Sequence, residues 1–141
     1  PPPPPAPVET DWRDRELTPG DWSYRREGSG SAALFGLSAA DTLFAVRCDM
    51  AGRRVRFERG GTLGSGESVM AIQTTEARNS YRAENSAGAS GRAVAETQAS
   101  DRFLDSIAFS RGRIAVAVTG QPLLILPNWP EMVRVFEDCR G

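Results

Sequence analysis

Apolar and polar residues alternate along most of this chain, in short runs that are separated by glycine-rich or polar breaks. In the run 42–49, Phe44, Val46 and Cys48 fall on one side of an extended backbone, and the residues between them fall on the other. A period of two is typical of a strand with one buried face. The same reasoning predicts strands at 21–26, 31–35, 42–49, 53–59, 68–75, 79–84, 93–95, 114–118 and 123–126.

Two segments change to a helical period. A short helix near 100–109 is predicted, with Ser100 as its N-cap and Asp101 in its first turn. Its apolar stripe consists of Phe103, Leu104, Ile107 and Ala108. A C-terminal helix near 129–138 is predicted because Pro130 suits a first helical turn. Its apolar face is formed by Trp129, Met132, Val133 and Phe136 and is continued by Cys139.

These elements predict a mainly β protein, either an antiparallel β-sandwich or a strongly curved sheet of about seven to nine strands. Residues 1–10 are proline-rich and predict a disordered linker, so 11–141 are expected to form a single β-rich domain. We expect 60–66 to be a mobile glycine-rich hairpin loop and 85–91 to be a polar loop tip. The tryptophans are expected to anchor the core, and they are Trp12, Trp22 and Trp129.

The chain contains two cysteines, no histidine and no lysine. Cys48 and Cys139 both continue apolar faces, so we expect one long-range disulfide between the third strand and the last helix. Two buried free thiols are the alternative. A disulfide of this kind indicates an oxidising compartment.

The sequence also begins with a proline tether and without methionine, which indicates a processed or trimmed product. Such a tether often follows a signal peptide or a lipidated cysteine, although an ordinary linker is the alternative. Together with the cysteine pair, it predicts export to the periplasm or outer membrane of a Gram-negative bacterium. Contact with a membrane is expected only through an N-terminal lipid anchor, since no stretch approaches the roughly 18–20 apolar residues of a spanning helix.

The missing residue types exclude several kinds of chemistry. Without histidine there is no Ser-His-Asp or Cys-His system, and without lysine there is no Walker A loop or Ser-Lys dyad. We therefore expect no catalytic residue, no cofactor and no metal, and the net charge of −1 gives no reason to expect nucleic acid binding. Carboxylate-dependent chemistry stays open, and its candidates are Asp101, Asp105, Glu131, Glu137 and Asp138.

One predicted hairpin is rich in arginine. Its local charge is +5 − 2 = +3, because five arginines are opposed by Asp49 and Glu58. We consider it a candidate binding surface for an anionic polymer or an acidic partner. A solvated outer strand face is the alternative. The five candidate residues are Arg47, Arg53, Arg54, Arg56 and Arg59.

The run Leu43–Asp49, followed by a turn and by Arg53–Phe57, resembles the early hairpin of small exported bacterial β-sandwich proteins. These include the invasion-associated locus B family and the VasI accessory lipoproteins of type VI secretion. The late order of helix, strand, strand and helix, ending in Cys139, is similar as well. Segments 110–116 and 134–140 resemble uncharacterised exported proteins of high-GC Gram-negative bacteria. The resemblance implies a fold and a compartment, but those families carry no catalytic motif to transfer.

These observations together lead to one expected function. We expect a non-catalytic periplasmic or outer-membrane-tethered domain that binds a protein or an envelope component. The alternatives are a carboxylate-dependent hydrolase of envelope polysaccharide and a purely structural accessory domain. The sequence leaves the oligomeric state open.

Overall fold

The computed structural model describes residues 9–38, 40–86 and 91–141. The described part begins with a short 3-10 helix, Glu9–Asp14. Most of the predicted linker, residues 1–8, lies outside the described residues, as do residues 87–90 of the predicted loop tip.

In the described residues, nine antiparallel strands form one curled, half-barrel sheet with two helices. The prediction of a mainly β fold is confirmed, and of its two forms the curved sheet is the one observed. The spatial order of the strands is β1-β2-β3-β4-β7-β6-β5-β8-β9. The strands are β1 (Asp21–Glu27), β2 (Gly30–Ser38), β3 (Asp41–Asp49), β4 (Arg54–Gly60), β5 (Ser68–Gln73), β6 (Arg78–Asn85), β7 (Arg92–Gln98), β8 (Arg113–Val118) and β9 (Leu124–Pro127). The helices are α1 (Phe103–Phe109) and α2 (Pro130–Arg140).

Both helices pack on the same side of the sheet, which we call the inner face. Phe57 of β4 lies edge-on to Phe136 of α2, with ring centroids 6.5 Å apart. Tyr81 of β6 meets Phe103 of α1 in the same way, at 6.4 Å. One continuous core of buried side chains runs from β1 to β9 and includes both helices. Each large side chain buried there stabilises the fold by about 1.5–3 kcal/mol relative to exposure, which is why the sheet curls around the helices.

The chain at the start of the first edge strand contacts the other edge strand of the sheet. Before β1, Thr18 donates its backbone N–H to the carbonyl of Ile125 in β9, and its side-chain oxygen accepts the N–H of Ile125, both at 2.8 Å. The indole N–H of Trp22 in β1 donates to the carbonyl of Pro127 in β9, also at 2.8 Å. These bonds tie the chain at the start of β1 to β9. The contacts cover part of the exposed edge of β9.

The predicted disulfide is present. Cys48 of β3 and Cys139 of α2 are bonded across a sequence separation of 91 residues, with their Cα atoms 5.4 Å apart. Both residues are buried. The disulfide therefore holds the last helix against the strands that form the first half of the sheet.

The predicted apolar face of the last helix is partly wrong. Trp129 precedes the helix and is 38% exposed, so it is not the core anchor that the sequence predicted, whereas Trp12 and Trp22 are buried as expected. Because the helix begins at Pro130, the side chains that face the core are those of Met132 and of the residues three, four and seven positions after it. The buried residues of α2 are Met132, Val135, Phe136 and Cys139.

The predicted short helix near 100–109 is present, but the prediction of Ser100 as its N-cap is wrong. The helix begins at Phe103, and the side chain that caps it is that of Asp101, whose Oδ1 accepts the Phe103 N–H at 2.9 Å. Ser100 instead directs its hydroxyl to the side chain of Gln98, at 3.5 Å. Both residues have a capping side chain, so the sequence alone did not decide between adjacent candidates.

The glycine-rich loop between β4 and β5 is attached to the rest of the fold. Leu63 is buried in the core, and its N–H donates to Oδ1 of Asn85 at 2.8 Å. The amide of Gln121 donates to the carbonyl of Thr62 at 3.1 Å. This loop contributes an apolar side chain to the core.

Candidate binding surface

The structure divides the five predicted arginines among three places. Side chains alternate along a strand, so Arg54 and Arg56 lie on the outer face of the sheet together with Arg47. Arg53 lies in the turn between β3 and β4, where its φ of 50° is left-handed. Arg59 lies opposite Phe44 on the inner face and is buried.

Arg59 is consequently not part of an exposed surface. Its guanidinium donates to the carbonyl of Gly60 at 2.7 Å and to that of Pro122 at 2.9 Å. Burial lowers the pKa of Arg59. The bond to Pro122 ties the end of β4 to the segment that precedes β9, which is a structural role.

The outer-face arginines form a ladder of alternating charges across neighbouring strands. Arg47 contacts Glu27 on one side and Oε1 of Glu58 on the other, at 3.1 Å. Arg56 joins Glu58 to Glu96, at 3.5 and 3.3 Å. The side chain of Glu58 is only 8% exposed, so its charge is buried beneath the arginines. This pairing neutralises most of the positive charge that the sequence assigned to the hairpin.

The same contacts keep the inner members of the ladder ionised. Burial by itself would lower the pKa of Arg47, but hydrogen bonds with Glu27 and Glu58 outweigh it and raise that pKa. Burial would likewise raise the pKa of Glu27, but hydrogen bonds from Arg47 and Arg25 hold it below its usual value. Glu27 and Arg47 therefore remain charged near neutral pH.

Apart from the outer-face ladder, the surface has a concavity that is strongly basic. We call it the basic pocket; it has a volume of about 600 Å³ and lies where the β3–β4 turn, the β7–α1 connection and the end of α2 meet. Its charged residues give a local charge of +4 − 1 = +3, because four arginines surround one aspartate. They are Arg53, Arg54, Arg102, Arg140 and Asp105.

Hydrogen bonds fix two of these arginines. Arg53 Nη1 donates to the carbonyl of Arg140 at 2.8 Å. The guanidinium of Arg140 donates to the carbonyl of Ala99 at 2.7 Å and to that of Asp101 at 3.2 Å, and it forms an ion pair with Asp105. The pocket is thus built from three elements whose relative positions are fixed.

Arg102 is the most available charge of the basic pocket. Its side chain is exposed, and within the described residues it forms no ion pair. A guanidinium presents several N–H donors in a planar fork that matches carboxylate and phosphate groups. The pocket can therefore bind an anionic group by hydrogen bonds as well as by charge.

The sequence predicted Arg53 and Arg54 as binding residues but missed Arg102 and Arg140. Arg140 directly follows Cys139, so the predicted disulfide is the signal that could have placed it close to the β3–β4 turn. Arg102 had no such signal, because its position depends on where α1 packs.

Three of the five carboxylates that were considered for hydrolysis serve structural contacts, and they are Asp101, Asp105 and Asp138. Asp101 accepts hydrogen bonds from the hydroxyls of Tyr81 and Thr97, at 2.8 and 2.7 Å, in addition to capping α1. Asp138 accepts hydrogen bonds from Tyr24 and Ser31. Burial would raise the pKa of Asp138, but these bonds outweigh it and hold the pKa below its usual value. The hydrolase alternative stays an untested prediction.

Among the residues that the structure describes, no group of three or more histidine, cysteine, aspartate or glutamate side chains could hold a metal ion. In the same part of the chain, neither helix is long and apolar enough to cross a membrane.

The fold and the site together define a class: an antiparallel half-barrel with two helices on its inner face, a long-range disulfide and an arginine-rich outer side. Comparison with protein-family models, with curated protein sequences and with solved structures finds no match to this chain. The resemblance to the invasion-associated locus B and VasI families accordingly stays a prediction.

Proposed function

We propose that this chain is the non-catalytic binding domain of an exported protein and that its basic pocket holds an anionic group of a partner protein or envelope component. The proposed location is the periplasm or the outer membrane. The disulfide fits an extracellular or periplasmic location, since such bonds persist in oxidising compartments.

The observation that carries the proposal is the concentration of positive charge in the basic pocket. The outer-face arginines are paired with Glu27, Glu58 or Glu96, whereas the lining of the basic pocket has an excess of three positive charges, of which Arg54 is the one that is also paired with Glu96. The chain as a whole has a net charge of −1, so this excess is local. A local excess of this kind favours an anionic ligand without giving general affinity for polyanions.

The test compares two charge reversals that change the net charge equally. Arg102→Glu alters the basic pocket, and Arg111→Glu alters an exposed arginine outside it. The probe is inorganic phosphate, titrated at low ionic strength and followed by amide chemical shifts. A charge-assisted hydrogen bond contributes about 1.5–3 kcal/mol, so Arg102→Glu is expected to weaken binding roughly 10- to 100-fold.

The control variant shows whether a loss of phosphate binding comes from the basic pocket or from the change in net charge. Arg111→Glu is expected to bind phosphate as the unaltered protein does, because it leaves the pocket intact. Equal affinity in both variants, or no phosphate-dependent shift around the pocket, would show that the pocket does not bind anions.

A further inference from the structure

Helix α1 has one side that the rest of the fold leaves accessible. Phe103, Leu104 and Ile107 are buried in the core. Arg102 directly precedes the helix and already has helical backbone angles, so the residues three, four and seven positions after it share its side of the helix. We call this side the α1 stripe, and it consists of Arg102, Asp105, Ser106 and Phe109.

Phe109 lies at the far end of the α1 stripe from the basic pocket. Its side chain is 83% exposed, more than any other large apolar residue in the part of the chain that the structure describes. It lines a cavity of about 740 Å³, which we call the Phe109 cavity. Other walls of this cavity are the turn between β5 and β6 (74–77) and the segment directly after α1 (110–111). An aromatic ring is therefore left uncovered beside a concave surface.

The Phe109 cavity has no excess of positive charge. Its charged residues are Glu76, Asp105 and Arg111, and Asp105 is already paired with Arg140. The two remaining charges are opposite in sign. An apolar group suits this cavity better than a second anion does, because it gains contact with the Phe109 ring and needs no compensating charge.

The basic pocket and the Phe109 cavity adjoin at Asp105, which lines both of them. Arg102 and Phe109 are seven residues apart, and a helix rises 1.5 Å per residue, so they are separated by about 10 Å along the helix axis. One ligand of modest length can therefore place an anionic group in the basic pocket and an apolar group against Phe109.

The two cavities fit a peptide segment better than a lipid surface. Most residues that line the Phe109 cavity are polar, and its apolar members are Ala77 and Phe109. A lipid surface requires a larger continuous apolar area, whereas one apolar side chain of a peptide can be covered by a single ring. An acidic side chain of the same peptide complements the positive charge of the basic pocket.

We propose that the α1 stripe binds an acidic segment of a partner protein, with a carboxylate in the basic pocket and an apolar side chain, about 10 Å away, against Phe109. This inference rests on the proposed function and narrows it. It names a partner protein as the source of the anionic group, and it adds an uncharged subsite that anion binding alone does not require.

The probe is the hexapeptide Gly-Asp-Pro-Pro-Phe-Gly, blocked at both ends. In a polyproline II conformation, residues three positions apart lie on the same side at a spacing of about 9 Å, which is close to the separation along the α1 stripe. Binding to the full chain is followed by amide chemical shifts, which we expect at 98–102 and at 105–111. A second hexapeptide, with alanine in place of phenylalanine, has the same charge and is expected to bind roughly three- to tenfold more weakly.

The variant Phe109→Ala tests the apolar subsite. Leu37→Ala is its matched control, because Leu37 is also exposed (68%) and lines neither cavity. Phe109→Ala is expected to weaken binding of the first hexapeptide roughly three- to tenfold and to leave binding of the second unchanged. Leu37→Ala is expected to leave the binding of both unchanged.

Phosphate separates this proposal from the proposed function. Arg102→Glu is expected to weaken the binding of phosphate and of both hexapeptides, whereas Phe109→Ala is expected to leave phosphate binding unchanged. Equal binding of the two hexapeptides, or the same effect of Phe109→Ala on both, would overturn the proposal while the phosphate result stands. Phe109-dependent binding to vesicles of phosphatidylglycerol and phosphatidylethanolamine, without hexapeptide binding, would overturn it in favour of a lipid surface. Absence of phosphate binding would overturn both proposals.

Discussion

Breaking the Cys48–Cys139 disulfide is the perturbation whose effect can be worked out most fully. The bond closes a loop with a sequence separation of 91 residues, which is most of the folded chain. In the chain-entropy model, closing a loop of about 91 residues lowers the entropy of the unfolded chain by roughly 15 cal/mol/K. At 25 °C, the disulfide thus contributes about 4–5 kcal/mol to the free energy of unfolding.

The corresponding change in melting temperature is large. Unfolding entropies of about 2.1 cal/mol/K per residue give roughly 0.28 kcal/mol/K for a domain of this size. The reduced protein is therefore expected to melt about 15 °C below the oxidised protein. Because small domains have total stabilities of about 5–15 kcal/mol, the reduced chain retains only a modest margin.

The assay is urea unfolding of the oxidised and the reduced protein, followed by tryptophan fluorescence, with thiol alkylation to verify each redox state. Reduction keeps both sulfurs in place, so the comparison isolates the cross-link. The double variant Cys48→Ala, Cys139→Ala provides a second comparison. Its free energy of unfolding is expected to be about 1–2 kcal/mol lower than that of the reduced protein, because the substitutions also remove buried atoms. A difference below about 1 kcal/mol between oxidised and reduced protein would refute the reasoning.

Three further changes test the packing and the buried contacts. Gly30→Ala would place a Cβ 1.8 Å from a carbonyl oxygen of β3, so we expect it to lower the free energy of unfolding by about 3 kcal/mol or more. In the control variant Gly64→Ala, the new Cβ has no atom within 4 Å, so the loss is expected to be less than about 1 kcal/mol. Thermal unfolding of both variants measures the difference. Trp22→Phe leaves the carbonyl of Pro127 without its indole donor and is expected to cost about 1–3 kcal/mol in urea unfolding. The pKa of Asp138 in the folded protein lies below its ordinary value of 3.8. The ionised carboxylate therefore adds to the free energy of unfolding above that pH, and this contribution is lost as the pH falls through the folded pKa. Asp138→Asn is thus expected to be less stable at neutral pH and to lose less stability on acidification than the unaltered protein, and equal acid profiles would contradict this.

The strands could be predicted from the sequence because the alternation of side chains is a local property. The β3 pattern placed Cys48 on the buried face, and the structure agrees. Positions at the ends of helices were less predictable, since Ser100 and Asp101 both suit a capping role. Which one caps depends on Tyr81 and Thr97, whose hydroxyls orient Asp101 from other strands.

The candidate site was less predictable than the fold, because it depends on charges from distant segments. The sequence counted Asp49 and Glu58 as the only opposing charges of the hairpin. The structure adds Glu27 and Glu96 from β1 and β7, and these reduce the positive charge of the outer face. Arg59 was counted as exposed. The alternation of side chains continues to the end of β4, however, and it places Arg59 on the inner face.

The position of Arg140 immediately after Cys139 links the geometry of the basic pocket to the disulfide. The bond that holds α2 on β3 also fixes one wall of the basic pocket. A newly made, reduced chain has every arginine of the pocket but holds Arg140 by weaker contacts alone. If the proposed function holds, the affinity for phosphate is expected to be lower in the reduced protein than in the oxidised protein.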